Sequence, residues 1–157
     1  MRIGHGLDVH AFSDDSARQL WLGLIQVPDA KGLAGHSDAD VVTHALCDAL
    51  LGGANRGDIG QHFPDSDEST RNVSSRKLLE HCVRVVHDAG FVVESADITI
   101  VAQTPTLALY LPAMSDELSA VVGTVVSLKA TTTEGLGALG RSEGIGASAV
   151  ALLKEKS

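Results

Sequence analysis

Asp8 and His10 flank a single residue, Val9, inside the stretch Arg2 to Phe12, which alternates enough to be a strand despite its two glycines. Side chains two apart on a strand share one face. The carboxylate and the imidazole would therefore point the same way. His44 lies on the first stretch with helical periodicity and offers a second imidazole. Two imidazoles and one carboxylate leave a fourth metal position open for substrate, which is the catalytic zinc pattern. Neutral imidazole binds a divalent metal near pH 7 at little proton cost. The Asp-x-His pair alone does not decide the matter, because polar pairs are common on exposed strand faces.

His36 stands just before a helix start, with Ser37 as the expected N-cap and Asp40 three residues on in the manner of a capping box. Helix N-termini favour anions, so His36 is a candidate for a phosphate oxygen. A plain surface loop histidine is the alternative. Asp40 and Asp48 lie one turn either side of His44 on the same face. Either could orient its imidazole, although capping alone accounts for Asp40. His5, His62, His81 and His87 read as structural or surface residues.

Two further segments carry polar chemistry. Asp58, Ile59 and Gly60, then Phe63, Pro64, Asp65, Ser66 and Asp67, form a dense acidic loop. Its carboxylates suit sugar or polyol hydroxyls, although exposed loops are often acidic. Lys129, Ala130, Thr131, Thr132, Thr133 and Glu134 place three threonines at a strand end, with a carboxylate suited to Mg²⁺ beside phosphates. Plain β-propensity also accounts for the threonines. Gly135, Gly137 and Gly140 have a G-x-G-x-x-G spacing. No acidic residue about 20 positions on completes a dinucleotide fingerprint, so that function is rejected.

Elements that position these residues can be read from pattern. Trp21 to Val27 is a short strand or hairpin arm ended by Pro28, and Lys31 to Gly35 is a loop. The helix from Ser37 ends at Gly52-Gly53. Asn55 to Thr70 is a loop holding at most one helical turn. Ser74 to Ala89 is a second helix with Leu78, Leu79, Cys82, Val83 and Val86 as its apolar stripe, closed by Gly90. Phe91 to Ala102 and Val125 to Thr131 are strands, with a third helix between them beginning near Tyr110 or Pro112. Ile145 to Leu153 fits strand or helix on composition. Alternating strands and helices without repeat or linker predict one α/β (α+β) domain over residues 1–157.

Composition narrows the class. At 157 residues and 44% apolar content, one packed core is expected, and with 3% aromatics it must be aliphatic. A formal charge of -8 without a basic run argues against nucleic-acid partners. Cys47 and Cys82 lack metal spacing and read as reduced, packed thiols. Neither an apolar leader nor a membrane-length run is present, so a cytoplasmic location is expected.

Taken together, RIGHGLDVHAF (2–12), GHSDADVVTHALCDALLGGANRGDIGQHFPDSD (35–67), ITIVAQTP (98–105) and KATTTEGLGALGRSEGIGASAVALL (129–153) resemble the 2-C-methyl-D-erythritol 2,4-cyclodiphosphate synthase family of the non-mevalonate isoprenoid pathway. These segments span the chain from end to end. The resemblance implies an α/β domain with a mixed four-stranded sheet covered by helices. It also implies a homotrimer with its sheets around the threefold axis, and it makes Gly144 to Ala151 a strand. It implies a phosphorus–oxygen lyase that closes a CDP-linked methylerythritol 2-phosphate into a cyclic diphosphate and releases CMP.

The resemblance also implies roles. Asp8, His10 and His44 would match zinc ligands, with Val9 between them in contact with substrate, and Glu134 would take Mg²⁺ or Mn²⁺. His36 and Ser37 would hold the methylerythritol phosphate end, while His36 and Thr132 steady the transition state. Asp58, Ile59 and Gly60 would face ribose or the sugar alcohol, and Phe63, Pro64, Asp65, Ser66 and Asp67 the polyol. Ala102, Gln103, Thr104, Pro105, Thr106, Leu107 and Ala108, with Ala130, Thr131, Thr132 and Thr133, would form the cytidine site. Active sites would lie between subunits. Ala138 and Arg141 would line substrate. Thr106 stands where many members carry a basic residue, and Ala138 where an aromatic residue often faces the central cavity. A metal-dependent phosphohydrolase and a trimeric metal-stabilised binding module are the competing readings.

Overall fold

The computed structural model describes residues 1–64, 66–68 and 73–157. Four strands form one mixed sheet in the order β1-β6-β4-β5. They are β1 (Arg2–Ala11), β4 (Phe91–Val101), β5 (Val126–Thr131) and β6 (Gly144–Glu155). β6 runs antiparallel to both β1 and β4, and β5 runs parallel to β4. A separate hairpin joins β2 (Leu20–Leu22) to β3 (Ile25–Val27).

One helix, α1 (Val41–Gly53), lies directly on the sheet. All of its residues except Asp48 and Gly52 are buried, as expected of a helix apolar nearly all round. Two glycines of β1 make this packing possible. A Cβ on Gly4 would come within 1.8 Å of the Ala49 carbonyl oxygen, and one on Gly6 within 2.0 Å of the Ala45 carbonyl oxygen. The strand backbone therefore touches the helix backbone, and the small odd-numbered residues of β6, Ala147, Ala149 and Ala151, are buried on this same side. α3 (Ser75–Asp88) buries Leu78, Leu79, Cys82 and Val86, and α4 (Leu111–Val122) buries Met114, Leu118 and Val122. Short helices α2 (Ile59–His62) and α5 (Gly137–Gly140) complete the set.

The opposite face of β1 and β6 is uncovered. Ile3, Leu7, Val9 and Val150 are exposed there, beside a hydrogen bond between His5 and Ser148. No helix is long and apolar enough to cross a membrane among the described residues.

Two expectations are corrected. α1 begins at Val41 with Asp40 as its N-cap, not at Ser37. Trp21 to Val27 is two strands rather than one arm, turning through Gly23 (φ 57) and Leu24 (φ 67). Both corrections have one cause. The fully buried Asp40 carboxylate accepts from the N–H groups of Gly23 and Leu24 at 2.8 Å each, and from the N–H and hydroxyl of Thr43 at 3.0 and 2.7 Å. It ties a left-handed hairpin turn to a helix start, a use that no local pattern displays.

Candidate active site

Asp8 and His10 share the sheet face of Gly4 and Gly6, because the β1–β6 register is unbroken from Arg2 to Ala11. That face meets α1. Beyond the two glycines the contact opens, and His44 projects from the first turn of α1 into the gap. Donor atoms of Asp8, His10 and His44 all lie within 4.8 Å of one another. Asp8 Oδ2 is 3.0 Å from His10 Nε2 and 3.2 Å from His44 Nδ1.

Each imidazole is held from behind. His10 Nδ1 lies 2.7 Å from the Ala34 carbonyl oxygen, an acceptor, so Nδ1 carries the proton and Nε2 keeps its lone pair toward Asp8. His44 Nε2 lies 3.3 Å from Ser75 Oγ and 3.4 Å from Ser37 Oγ, leaving Nδ1 on the Asp8 side. Two imidazole nitrogens and a carboxylate oxygen with outer partners fit a tetrahedral divalent site that keeps one position open. Burial pushes the Asp8 carboxyl up, but the hydrogen bonds and charges of His10 and His44 outweigh it and hold Asp8 well below the usual carboxylate range. When the ring is protonated, Nε2–H donates to the Asp8 carboxylate, and this hydrogen bond raises His10 above its ordinary value, against burial.

These three ligands line a cavity of about 250 Å³ with Gly35, His36, Ser37, Ile59, Gly60, Phe63, Asp67, Val73 and Leu78. The structure thus brings three histidines, His10, His36 and His44, to one opening with Ile59, Gly60, Phe63 and Asp67 of the acidic loop. Asp58 caps α2 and accepts from Gln61, so its carboxylate is already engaged. Pro64 and Ser66 are exposed nearby in sequence, and Asp65 lies outside the described residues.

His36 is not at a helix N-terminus, because α1 starts at Val41 and Asp40 occupies its capping site. The helix-start placement that favoured an anion at His36 is therefore corrected, while His36 itself lines the metal cavity. Nor do Asp40 and Asp48 orient His44. Asp40 is committed to the hairpin turn, and Asp48 accepts from the Ile59 N–H at 2.9 Å. Burial raises the Asp48 carboxyl above its ordinary value. Sequence reasoning missed the groups that do hold the site. Arg18 donates from Nε to the Leu33 carbonyl and from Nη2 to the Ser37 carbonyl, fixing the loop that carries His36. Ser75 reaches His44 from α3.

The threonine run sits at the far edge of the same end of the sheet. Val101 pairs with Gly146 and with Thr131, while His10 pairs with Ile145. β1 and β5 are three strand spacings apart, about 14 Å. Ala130, Thr131, Thr132 and Glu134 are exposed, as are Thr104, Thr106 and Ala108, whereas Ala102 and Leu107 are buried. The turn after β5 is tied to the 102–108 loop: the Gly135 N–H donates to Gln103 Oε1 at 3.3 Å, and the Glu134 N–H to Thr132 Oγ1 at 3.1 Å. Thr133 Oγ1 donates to the Leu136 carbonyl at 2.6 Å. Thr104 and Pro105 line a second cavity with Phe12, Lys31 and Ser142. Ala138 and Arg141 are exposed on and after α5, with Arg141 paired to Glu143 at 3.0 Å. The metal cluster lines one cavity and the 102–108 loop borders another, while the threonine run lies largely exposed at the far edge of the sheet.

A mixed sheet with Asp and His from one strand, His from the helix behind it and a Thr-rich edge defines a class. The profile of the YgbB family matches residues 1–154, and the chain belongs to that family. It is 52% identical over 99% of both chains to the 2-C-methyl-D-erythritol 2,4-cyclodiphosphate synthase of Nitrosococcus oceani. Among solved structures, the bifunctional IspDF of Campylobacter jejuni matches 99% of this chain with 42% of its own, at 38% identity and a TM-score of 0.94. IspF of Plasmodium falciparum in complex with CDP matches at 28% identity and a TM-score of 0.85, covering 99% and 97% of the two chains. The chain is a cyclodiphosphate synthase-type member of an enzyme family, and a divalent metal is the natural occupant of its Asp–His–His cluster.

Proposed function

We propose that this chain, as one domain over residues 1–157, converts 4-diphosphocytidyl-2-C-methyl-D-erythritol 2-phosphate into 2-C-methyl-D-erythritol 2,4-cyclodiphosphate and CMP. It acts as a cytoplasmic phosphorus–oxygen lyase of the non-mevalonate isoprenoid pathway. The observation that carries the reading is the convergence of Asp8, His10 and His44 with their free donors facing inward. The CDP held by the Plasmodium falciparum relative supports a CDP-linked substrate.

In the reaction, an oxygen of the 2-phosphate bonds to the β-phosphorus, and the bond from that phosphorus to the bridging oxygen breaks. CMP leaves with the electron pair, and an eight-membered ring closes. The attacking oxygen is already anionic, so no strong general base is required. In-line placement and charge neutralisation carry the catalysis. Asp8, His10 and His44 would hold zinc and Glu134 would hold Mg²⁺ or Mn²⁺, each supplying positive charge to diphosphate oxygens. His36, fixed through the Arg18-held loop, and Thr132 steady the charge that develops on phosphorus. Ser37 contacts the phosphate end, and Val9, whose side chain lies on the uncovered face, meets it through its backbone alone, while Asp58, Ile59, Gly60 and Phe63 to Asp67 meet the sugar alcohol. Residues 102–108 and 130–133 bind cytidine, and Ala138 and Arg141 line substrate.

A homotrimer completes the site. Its support is the exposed apolar face of Ile3, Leu7, Val9 and Val150, and the placement of the metal cluster and the threonine run on opposite edges of the sheet within one chain. The metal half of one subunit then meets the cytidine half of the next. Incubation with the CDP-linked substrate and Mg²⁺, with and without chelator, tests the proposal. CMP should accumulate only without chelator; equal release in both would overturn it.

A further inference from the structure

Ser75 is fully buried at the first position of α3, yet its hydroxyl does not cap its own helix; Ser74 does that. The Ser75 hydroxyl donates to Asp38 Oδ1, and the Ser75 N–H donates to Asp38 Oδ2 at 2.9 Å. A carboxylate can only accept, so the single hydroxyl proton of Ser75 is committed to Asp38. Toward His44 Nε2, 3.3 Å away, Ser75 Oγ can then act only as acceptor. In the neutral ring the proton of His44 then sits on Nε2, and the Nδ1 lone pair is left facing Asp8.

This arrangement opposes a competing one. Asp8 Oδ2, 3.2 Å from His44 Nδ1, would attract the proton to Nδ1, and that tautomer cannot ligate a metal there. Ser37 does not settle the choice. Its oxygen is 3.4 Å from Nε2 and accepts from the Ala39 N–H at 3.1 Å, but among the described residues no acceptor fixes its own proton. Asp38 is itself anchored, accepting from the Asp40 N–H at 3.3 Å. The chain Asp38–Ser75–His44 thus crosses from the loop before α1, through the start of α3, to the metal cluster.

We infer that Ser75, backed by Asp38, is a positioning residue that sets the tautomer of His44 for metal binding. The inference rests on the proposed metal site. Outer partners of metal-bound histidines typically change affinity about 10- to 100-fold when removed. The test measures the zinc dissociation constant of the full chain by competition with a chromogenic chelator. Ser75→Ala should bind zinc about 10- to 100-fold more weakly. Ser74→Ala removes the neighbouring helix cap, whose oxygen accepts from Lys77 N–H at 3.5 Å, and should stay within about twofold of wild type.

In zinc-loaded protein the His44 Nε2 proton should be visible at low field in wild type and Ser74→Ala, and lost from the spectrum in Ser75→Ala. Affinity of Ser75→Ala within about twofold of wild type, or equal weakening by Ser74→Ala, overturns the inference. Should Ser75→Ala fail to fold, Asp38→Ala reads the same chain from its other end. Weakening of about tenfold or more supports the inference, and unchanged affinity overturns it. The two levels separate cleanly: wild type that binds no zinc, or His44→Ala that binds it as well as wild type, overturns the site and the inference together. Zinc bound equally by wild type and Ser75→Ala, and lost in His44→Ala, overturns the inference alone.

Discussion

Gly6→Ala tests how the sheet and helix build the metal cluster. The added Cβ would lie 2.0 Å from the Ala45 carbonyl oxygen, 2.8 Å from Ala49 N and 3.0 Å from the Ala45 carbonyl carbon. All three are backbone atoms, so no side chain can swing aside. Ordinary contact needs about 3.5 Å, so β1 and α1 must part by roughly 1 to 1.5 Å at this point. Overpacking a core costs about 1–3 kcal/mol, and a backbone clash belongs at the upper end or beyond. At about 3 kcal/mol, a chain of this size loses roughly 6–12 °C in melting temperature. Asp8 lies two residues along β1, and His44 sits beside Ala45, so the same movement widens the cluster. Misplacement of about 1 Å can cost 100-fold in activity. Melting of the metal-free chain and zinc titration would be measured on Gly6→Ala and Gly52→Ala together. Gly52 has only the His5 carbonyl oxygen near its absent Cβ, at 4.0 Å. Alanine there should be neutral or stabilise the helix by up to about 1 kcal/mol. Wild-type melting and zinc affinity in Gly6→Ala would refute this account of how β1 meets α1.

Other outcomes follow from the same geometry. Asp40→Ala leaves the buried donors of Gly23, Leu24 and Thr43 unpaired and should cost about 3 kcal/mol or more in urea unfolding; a loss below about 1 kcal/mol would show that the hairpin turn holds itself. His44→Ala should lose zinc and nearly all CMP release, and near-normal turnover by a metal-free variant would contradict the mechanism. Stability of the metal-free chain should depend on pH through His10 and Asp8. The raised His10 contributes fully below its unfolded value near 6.5 and less as pH climbs through its folded value. The lowered Asp8 contributes above about pH 3.9 and less as pH falls through its folded value. Melting of the metal-free chain should therefore decline above roughly pH 6.5, where zinc binding strengthens as proton competition ends, and a flat profile to about pH 9 would count against the pair.

Period and residue type made much of this legible in the sequence. Asp8 and His10 were readable as one strand face, and Ser74 as the start of α3, because those signals are local. The order of strands and helices also followed pattern, whereas the mixed sheet was implied by the family resemblance. Asp40 was not readable, because its partners Gly23 and Leu24 lie 17 and 16 residues away and a buried carboxylate looks like an ordinary cap in sequence. Ser75 was hidden for the same reason: it reaches His44 across 31 residues and carries no ligand motif. The glycines at 4 and 6 weakened the strand pattern, yet they are what lets α1 approach closely enough to complete the cluster. The hairpin turn at Gly23-Leu24 escaped because a leucine with positive φ is uncommon outside a context that holds it.

Phosphorus NMR of the product formed from the CDP-linked substrate, with zinc-loaded chain and Mg²⁺, tests the central claim most directly. The account predicts a cyclic diphosphate with one equivalent of CMP, both absent in His44→Ala. A linear phosphorylated product would instead mark a phosphohydrolase, and bound but unchanged substrate would mark a binding module; either result would contradict the account.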